Sequence, residues 1–167
     1  MVEIEDIKLT AVEIDKKRVE MINENLVRLD HSFQVINKEI NIKNSWCKKN
    51  SFDRILLDVP CSASGIVRRH IDIKWLRRKD DLKYFHEKQF ELLRASWQLL
   101  KLQGKLLYVT CSVFNMENRM VINRFLKAEK TAFEVEIKFP RNIKEANNQL
   151  LPSLFHDGLF YVLLQKK

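Results

Sequence analysis

The stretch that decides the fold is residues 52–65, with the sequence FDRILLDVPCSASG. Apolar residues dominate its first half, as in a buried strand, and the run then ends at an acid, a proline and a cysteine. Residues 105–112, KLLYVTCS, repeat this arrangement of an apolar strand that ends at a cysteine. Two strand ends that each deliver a cysteine predict a site that acts on a small electrophilic ring.

The composition is that of an ordinary globular domain. The chain has 167 residues, of which 46% are hydrophobic and 31% charged, enough for one domain with a real core. Neither a membrane-length apolar run nor a signal peptide is visible, so we expect a cytoplasmic protein with no membrane partner. Three widely spaced cysteines do not form a disulfide framework or a zinc pattern, and we predict no metal site.

Strands alternate with helices along the chain. The predicted strands are residues 8–14, 33–36, 54–58 and 105–110. Three helices are predicted: the first begins after Asp15, the second runs from Asp80 or Asp81 to Leu100, and the third covers residues 115–127. Gln103-Gly104 is the predicted stop signal of the second helix. Residues 133–139 and 159–164 are predicted to form a terminal antiparallel pair. The alternation favours a doubly wound α/β domain with a mostly parallel sheet, which binds ligands beyond the carboxyl ends of its strands.

Four chemically active side chains follow these predicted strand ends. Glu13, Asp58, Cys61 and Cys111 all lie at or just past a carboxyl end. One such residue would be unremarkable, because an acid there can cap a turn and a cysteine can simply pack. Four of them from three strands predict a common functional rim.

A basic segment follows the first cysteine. The formal net charge is +8, and residues 68–79, RRHIDIKWLRRK, hold six Lys or Arg against one acid. Cations for phosphates around a flat ring favour RNA, and the candidate contacts are Arg68, Arg69, Lys74, Arg77 and Arg78. The alternative is a solvated basic loop whose Trp75 packs into the core.

Five short motifs together resemble one enzyme family. They are residues 58–65 (DVPCSASG), 110–118 (TCSVFNMEN), 68–75 (RRHIDIKW), 25–29 (NLVRL) and 157–161 (DGLFY). The chain resembles, over nearly its whole length, the catalytic domain of the bacterial small-subunit rRNA cytosine-C5 methyltransferases of the Sun/Fmu type, relatives of the nucleolar Nop methyltransferases. Val59 stands where that family usually has alanine, and Ile71 where it usually has proline.

The resemblance implies a chemistry for the rim. The expected reaction is methyl transfer from S-adenosylmethionine to C5 of a cytosine in small-subunit rRNA, through a covalent adduct at C6. Cys111 is the implied nucleophile, and Cys61 the residue that assists its release. Asp58 would hydrogen-bond N3 and the exocyclic amine of the base, which calls for a raised pKa. A thiolate suits this role because it is strongly nucleophilic once its pKa is lowered.

The resemblance also implies cofactor contacts. Glu13 takes the position of the acid that binds the ribose hydroxyls, and Glu39 stands where the family usually carries an aspartate near the adenine. Asp58 and Pro60 of the first motif complete the predicted set. An acid at Glu13 is equally compatible with a dehydrogenase, since any adenosine ribose suits it, but a dehydrogenase has no use for two rim cysteines.

The family's first strand and glycine-rich loop have no counterpart in the sequence, which contains no G-x-G. We therefore expect residues 1–167 to be a single, partial Rossmann-like methyltransferase domain, a fragment whose strands ending at Glu13 and Asp58 lack a shared neighbour. A separate chain is a candidate source of the missing segment. The alternative function is a non-catalytic, RNA-binding remnant of such an enzyme.

Overall fold

The computed structural model describes residues 7–43, 46–139 and 147–167. The chain forms two compact units, Met1–Ile40 and Asn41–Lys167. Each unit has its own sheet, and each is described by itself below.

The first unit is a strand, a helix and a second strand. Strand β1 (Thr10–Glu13) pairs in parallel with β2 (Gln34–Asn37), and helix α1 (Lys16–Arg28) connects them. The Asp15 carboxylate accepts hydrogen bonds from the backbone N–H groups of Lys17 (2.8 Å) and Arg18 (3.2 Å), which satisfies two of the unpaired donors at a helix start. The predicted strand, cap and helix are confirmed.

The second unit holds the larger sheet. Its elements are β3 (Phe52–Asp58), α2 (Ile73–Leu76), α3 (Lys79–Leu99), β4 (Leu100–Thr110), α4 (Arg119–Ala128), β5 (Ala132–Val135), β6 (Gln149–Leu150) and β7 (Leu159–Lys166). The strand order is β3-β4-β7-β5, with β6 on β7. β3 and β4 are parallel, and β7 is antiparallel to its neighbours. The predicted terminal antiparallel pair is thus confirmed as β5 with β7.

The core of the second unit lies between its sheet and the helices α3 and α4. Alternate residues of β4 are buried because successive strand side chains point to opposite faces. The aromatic rings of Trp97 and Phe125, one from each helix, meet edge to face with centroids 5.2 Å apart. The buried cluster also contains Leu57, Leu93, Leu106, Tyr108, Val121, Ile122, Phe160, Val162 and Leu164.

The predicted long helix is confirmed to within one residue at its C-terminus, but the stop predicted at Gln103-Gly104 is wrong, because these residues lie inside β4. Helix α3 ends at Leu99, and β4 begins at the next residue. Gln103, not Gly104, takes the left-handed conformation, with a φ of 62°. Gly104 is a close-packing residue, because a Cβ there would lie 2.8 Å from Leu100 Cγ. The sequence signal for a glycine helix cap was therefore misassigned.

The strands ending at Glu13 and Asp58 have no common neighbour within the described residues. There, β1 pairs with β2 and β3 pairs with β4, in separate sheets. None of the helices in the described residues is long and apolar enough to cross a membrane.

Candidate active site

The two motif cysteines meet at the carboxyl ends of adjacent parallel strands. Asp58 at the end of β3 lies opposite Val109 of β4, so the loops that follow both strands begin at the same edge of the sheet. Cys61 and Cys111 are both half-buried, and their Sγ atoms are 3.4 Å apart. This separation permits a thiol–thiolate hydrogen bond.

The two thiols differ in acidity. The pKa of Cys111 is lowered to about 7, chiefly because its sulfur accepts a hydrogen bond from Cys61; burial and the carboxylates of Asp58 and Glu117 oppose this effect. The pKa of Cys61 is raised far above its usual range, chiefly by the same hydrogen bond and then by burial. Cys111 is therefore the thiol that ionises first as the pH rises through neutrality, while Cys61 keeps its proton.

Gly65 and Gly158 allow the backbones around residues 65, 111 and 158 to pack in direct contact beside the cysteines. The Gly65 N–H donates to the Cys111 carbonyl (2.9 Å), and the Gly158 N–H donates to the Gly65 carbonyl (2.9 Å). A Cβ on Gly65 would lie 2.0 Å from the Gly158 oxygen. Glycine is required at position 65 because any side chain would occupy the space of the neighbouring backbone.

A buried carboxylate joins the two cysteine loops. Glu117 is fully buried. It accepts hydrogen bonds from the Ser62 N–H (2.6 Å), the Ser62 hydroxyl (2.6 Å) and the Ser112 hydroxyl (2.5 Å). Ser62 and Ser112 are the residues that directly follow Cys61 and Cys111. The sequence analysis includes Glu117 only as a member of the motif of residues 110–118 and predicts no role for it.

The neighbouring Asn118 strengthens the same region. Its side chain accepts from the Thr110 hydroxyl (2.6 Å) and donates to the Ser112 carbonyl (2.9 Å) and to Gln149 (2.7 Å). Two adjacent polar residues at the start of α4 thus hold the Cys111 loop from both sides of the cysteine. The sequence gives one indication of the roles of Glu117 and Asn118: an acid and an amide stand just before a helix, a few residues after a cysteine.

Asp58 and Pro60 lie on the rim with the cysteines. The Asp58 carboxylate is near enough to raise the pKa of Cys111, and, after burial, it also raises that of Tyr161. The Pro60 carbonyl accepts a hydrogen bond from the buried Gln89 side chain (2.9 Å). Helix α3 therefore anchors the backbone directly before Cys61.

Glu13 and Glu39 lie in the first unit, at and just beyond the ends of β1 and β2. Glu13 Oε1 accepts from the Asp15 N–H (3.0 Å), and Oε2 lies 3.7 Å from Arg18. The Asn37 side chain donates to the Glu13 carbonyl (2.9 Å). Each acid is thus placed where ligands of parallel strands bind.

Three arginines of the basic segment contact the protein itself. Arg77 Nε donates to the Ser62 carbonyl (2.9 Å). Arg68 donates to the Ser153 carbonyl (2.7 Å), and Arg69 forms an ion pair with Asp157. The Arg68 and Arg69 contacts tie the basic segment to the loop of residues 151–157, and the Arg77 contact ties it to the Cys61 loop.

The other two candidate RNA contacts of the basic segment, Lys74 and Arg78, are exposed. Lys74 lies 5.3 Å from the ring centroid of Trp75, and Arg78 precedes the first residue of α3. Trp75 is 80% exposed, so the alternative in which this ring packs into the core is wrong. Phe155, in the loop of residues 151–157, is 94% exposed, and sequence reasoning missed it.

The sequence of this chain matches a known protein family over almost its whole length. The sequence model of the family described as 16S rRNA methyltransferase RsmB/F matches residues 1–165. The chain belongs to this family. The resemblance inferred from the five motifs is thereby confirmed.

Individual relatives agree with the family. Ribosomal RNA small subunit methyltransferase B of Vibrio cholerae is 41% identical over 161 residues, which are 96% of this chain and 36% of the relative. The protein of the same name from Escherichia coli K12 is 42% identical over 161 residues, again 96% of this chain and 37% of the relative. The chain thus spans little more than a third of the length of these relatives.

A solved structure supports the fold. The methyltransferase homolog protein from Pyrococcus horikoshii superposes with a TM-score of 0.78 at 26% identity, over 97% of this chain and 54% of that one. The predicted Rossmann-like methyltransferase fold is confirmed. The family match equally supports S-adenosylmethionine as the methyl donor.

Proposed function

We propose that this chain carries the catalytic centre of an enzyme that methylates C5 of a cytosine in small-subunit rRNA through a covalent adduct between Cys111 and C6. One observation carries this proposal. Two thiols lie 3.4 Å apart at the end of parallel strands, and the pKa of Cys111 is lowered to about 7. A thiolate available at neutral pH is what nucleophilic attack on a pyrimidine requires.

Cys111 supplies the nucleophile. C5 of cytosine is a poor nucleophile, but addition of the Cys111 thiolate to C6 moves electron density onto C5 and N3. We propose that a protonated Asp58 donates to N3 and accepts from the exocyclic amine, so that N3 takes the proton as negative charge develops there and returns it when the C6–S bond breaks. When C5 has gained the methyl group and lost its proton, the C6–S bond breaks and Cys111 leaves as a thiolate. Covalent catalysis of this kind divides one difficult step into easier ones.

The acidity of the Cys61 thiol is proposed to change during this cycle. Its raised pKa depends chiefly on the hydrogen bond that it donates to Cys111. Once the Cys111 sulfur is bonded to C6, that sulfur no longer carries the charge that holds the Cys61 proton. Cys61 can then lose its proton to solvent and accept the proton of C5, which allows Cys111 to leave.

The described acids fit a bound S-adenosylmethionine, which supplies an electrophilic methyl group when it is bound. Glu13 keeps lone pairs for ribose hydroxyls, because the Asp15 N–H is the one hydrogen-bond donor to Oε1 within the described residues and the side chain is 21% exposed. Glu39 is proposed as a contact near the adenine. Asp58 and Pro60 are proposed to complete the cofactor contacts from the rim of β3.

The RNA is proposed to lie on the basic segment and the adjoining loop. Arg68, Arg69, Lys74, Arg77 and Arg78 provide the positive charge for the phosphates. Trp75 of α2 and Phe155 of the loop of residues 151–157 are exposed rings on two segments that the Arg68 and Arg69 contacts hold together. Exposed rings beside cations stack on unpaired bases, which supports a target cytosine that leaves its own stack to reach the thiols.

An RNA that contains 5-azacytidine tests the proposal. The wild-type protein, with S-adenosylmethionine, should form an adduct that survives denaturing electrophoresis, and Cys111→Ala should abolish it. Cys61→Ala should still form the adduct, but more slowly at neutral pH, because Cys111 loses the hydrogen bond that lowers its pKa, and release should fail. Cys47→Ala is the matched control and should behave as wild type.

Two results would contradict the proposal. An adduct of undiminished yield in Cys111→Ala would remove the nucleophile from its proposed position. Absence of any adduct, together with no heat on titration with S-adenosylmethionine but retained RNA binding, would instead favour the non-catalytic RNA-binding alternative for this chain.

A further inference from the structure

Glu117 is an unusual residue in this rim, because a fully buried carboxylate has no basic partner there. Within the described residues no Lys, Arg or His forms an ion pair with it. A buried charge is costly unless hydrogen bonds compensate for lost water. Three donors do so, and all three belong to the residues that directly follow the cysteines.

The Glu117 carboxylate joins the two loops beyond the β3–β4 ladder. Other bonds between these loops are the Gly65 N–H to the Cys111 carbonyl (2.9 Å), the Val113 N–H to the Ser64 hydroxyl (3.0 Å), and that hydroxyl with the Ser112 hydroxyl (3.1 Å). One carboxylate oxygen accepts the Ser62 N–H, and the other accepts both serine hydroxyls. The Tyr108 hydroxyl donates to the Glu117 carbonyl (2.8 Å) and fixes the backbone of Glu117 to β4. The carboxylate is thus held from the sheet side and in turn holds the two loops together.

We propose that Glu117 is a positioning residue that clamps Ser62 to Ser112 and thereby keeps Cys61 at hydrogen-bonding distance from Cys111. This inference rests on the proposed roles of the two cysteines. Its test measures thiol reactivity and not methyl transfer, so that the clamp and the proposed function can fail separately.

The sign of the expected effect separates a clamp from simple electrostatics. The ionisable groups that face Cys111 are Cys61, Asp58 and Glu117. The Glu117 charge raises the pKa of Cys111, whereas the Cys61 hydrogen bond lowers it more strongly. Removal of a purely electrostatic Glu117 would therefore make Cys111 more acidic. Loss of a clamp would make Cys111 less acidic, because the stronger contribution disappears.

Glutamine offers a variant that keeps the clamp and removes the charge. Its amide oxygen can accept the Ser62 N–H. Its NH₂ group can donate to the two hydroxyls, since a serine oxygen accepts as readily as it donates. We expect Glu117→Gln to keep the midpoint of Cys111 alkylation at or below the wild-type value. Glu117→Ala should raise the midpoint towards that of an ordinary thiol, about 8.5.

The experiment follows the rate of Cys111 alkylation by iodoacetamide against pH, with the modified peptide quantified by mass spectrometry. At pH 7 we expect Glu117→Ala to react roughly tenfold more slowly than wild type, and Glu117→Gln to react at least as fast. Glu87→Gln is the control, because it removes an exposed carboxylate that pairs with Arg124 far from the thiols in sequence. It should leave the profile unchanged.

Ser62→Ala keeps the test decisive if Glu117→Ala does not fold. It removes one hydroxyl from the clamp and leaves the Ser62 N–H bond, so its midpoint should lie above wild type but below that of Glu117→Ala. Far-ultraviolet circular dichroism establishes that each variant is folded. Midpoints in Glu117→Ala or Ser62→Ala that equal or fall below wild type would overturn the clamp.

Discussion

The two units use the same local pattern of strand, helix and strand but bury very different amounts of side chain. In the first unit none of the 13 residues of α1 is buried, and Val27 is 84% exposed. In the second unit Leu93 of α3 and Phe125 of α4 are completely buried against the sheet. Caps and periodicity therefore suffice to place a helix, whereas a core needs a second layer on which to pack.

The sharpest test of this contrast removes one apolar side chain from each unit. Phe125→Ala should reduce the free energy of unfolding by about 3 to 5 kcal/mol, because it opens a cavity beside Trp97. Val27→Ala should change it by less than about 0.5 kcal/mol, since that side chain is already in solvent. Urea unfolding followed by circular dichroism measures both. Similar losses in the two variants would contradict the assignment of the core to the second unit.

A smaller effect is expected where the segments cross beside the cysteines. Gly65→Ala places a Cβ 2.0 Å from the Gly158 oxygen, so the backbones must separate, at a cost of about 1 to 3 kcal/mol. The matched variant is Ala63→Gly, two residues earlier. Ala63 has a φ of 59°, a conformation that glycine adopts without penalty, so this change should be neutral or stabilising.

Thermal unfolding compares Gly65→Ala with Ala63→Gly, and alkylation of Cys111 reports on the site. Gly65→Ala should lower the midpoint temperature, whereas Ala63→Gly should leave it unchanged or raise it, and only Gly65→Ala should slow alkylation at pH 7. A Gly65→Ala protein with wild-type stability and wild-type alkylation would show that the crossing is looser than described.

The smallest effect is expected in the first unit. Asp15→Ala leaves the N–H groups of Lys17 and Arg18 without their acceptor, which should weaken the start of α1 by about 1 kcal/mol. Hydrogen exchange should accelerate in the first turn of α1, while urea unfolding of the second unit stays unchanged. Asp15→Asn is the control, because an asparagine oxygen caps almost as well. A parallel loss of stability in the second unit would erase the contrast between the units.

The sequence predicts those parts of the molecule that depend on neighbours along the chain. The Asp15 cap follows from a local pattern. The meeting of Cys61 and Cys111 follows from one rule about parallel strands, namely that their carboxyl ends lie at the same edge. Neither inference requires knowledge of side-chain packing.

Contacts between distant segments explain what the sequence did not reveal. The Gln103-Gly104 pair predicts a helix cap, whereas the packing of Gly104 against the Leu100 side chain is evident only in three dimensions. Glu117 reaches back 55 residues to Ser62, and a single acid carries no periodic signal that could indicate such a contact. Exposure is equally non-local, so the solvent-facing positions of Trp75 and Phe155 could not be inferred from composition.

The place of β7 in the sheet has a consequence for the order of folding. This strand, the last of the described chain, lies between β4 and β5. Until residues 159–166 have been synthesised, β5 lacks its partner strand β7, and the edge of β4 that pairs with β7 remains unpaired. Long-range pairing of this kind delays folding. The loop after β4, which carries Cys111, therefore reaches its final packing only when residues 159–166 have been synthesised.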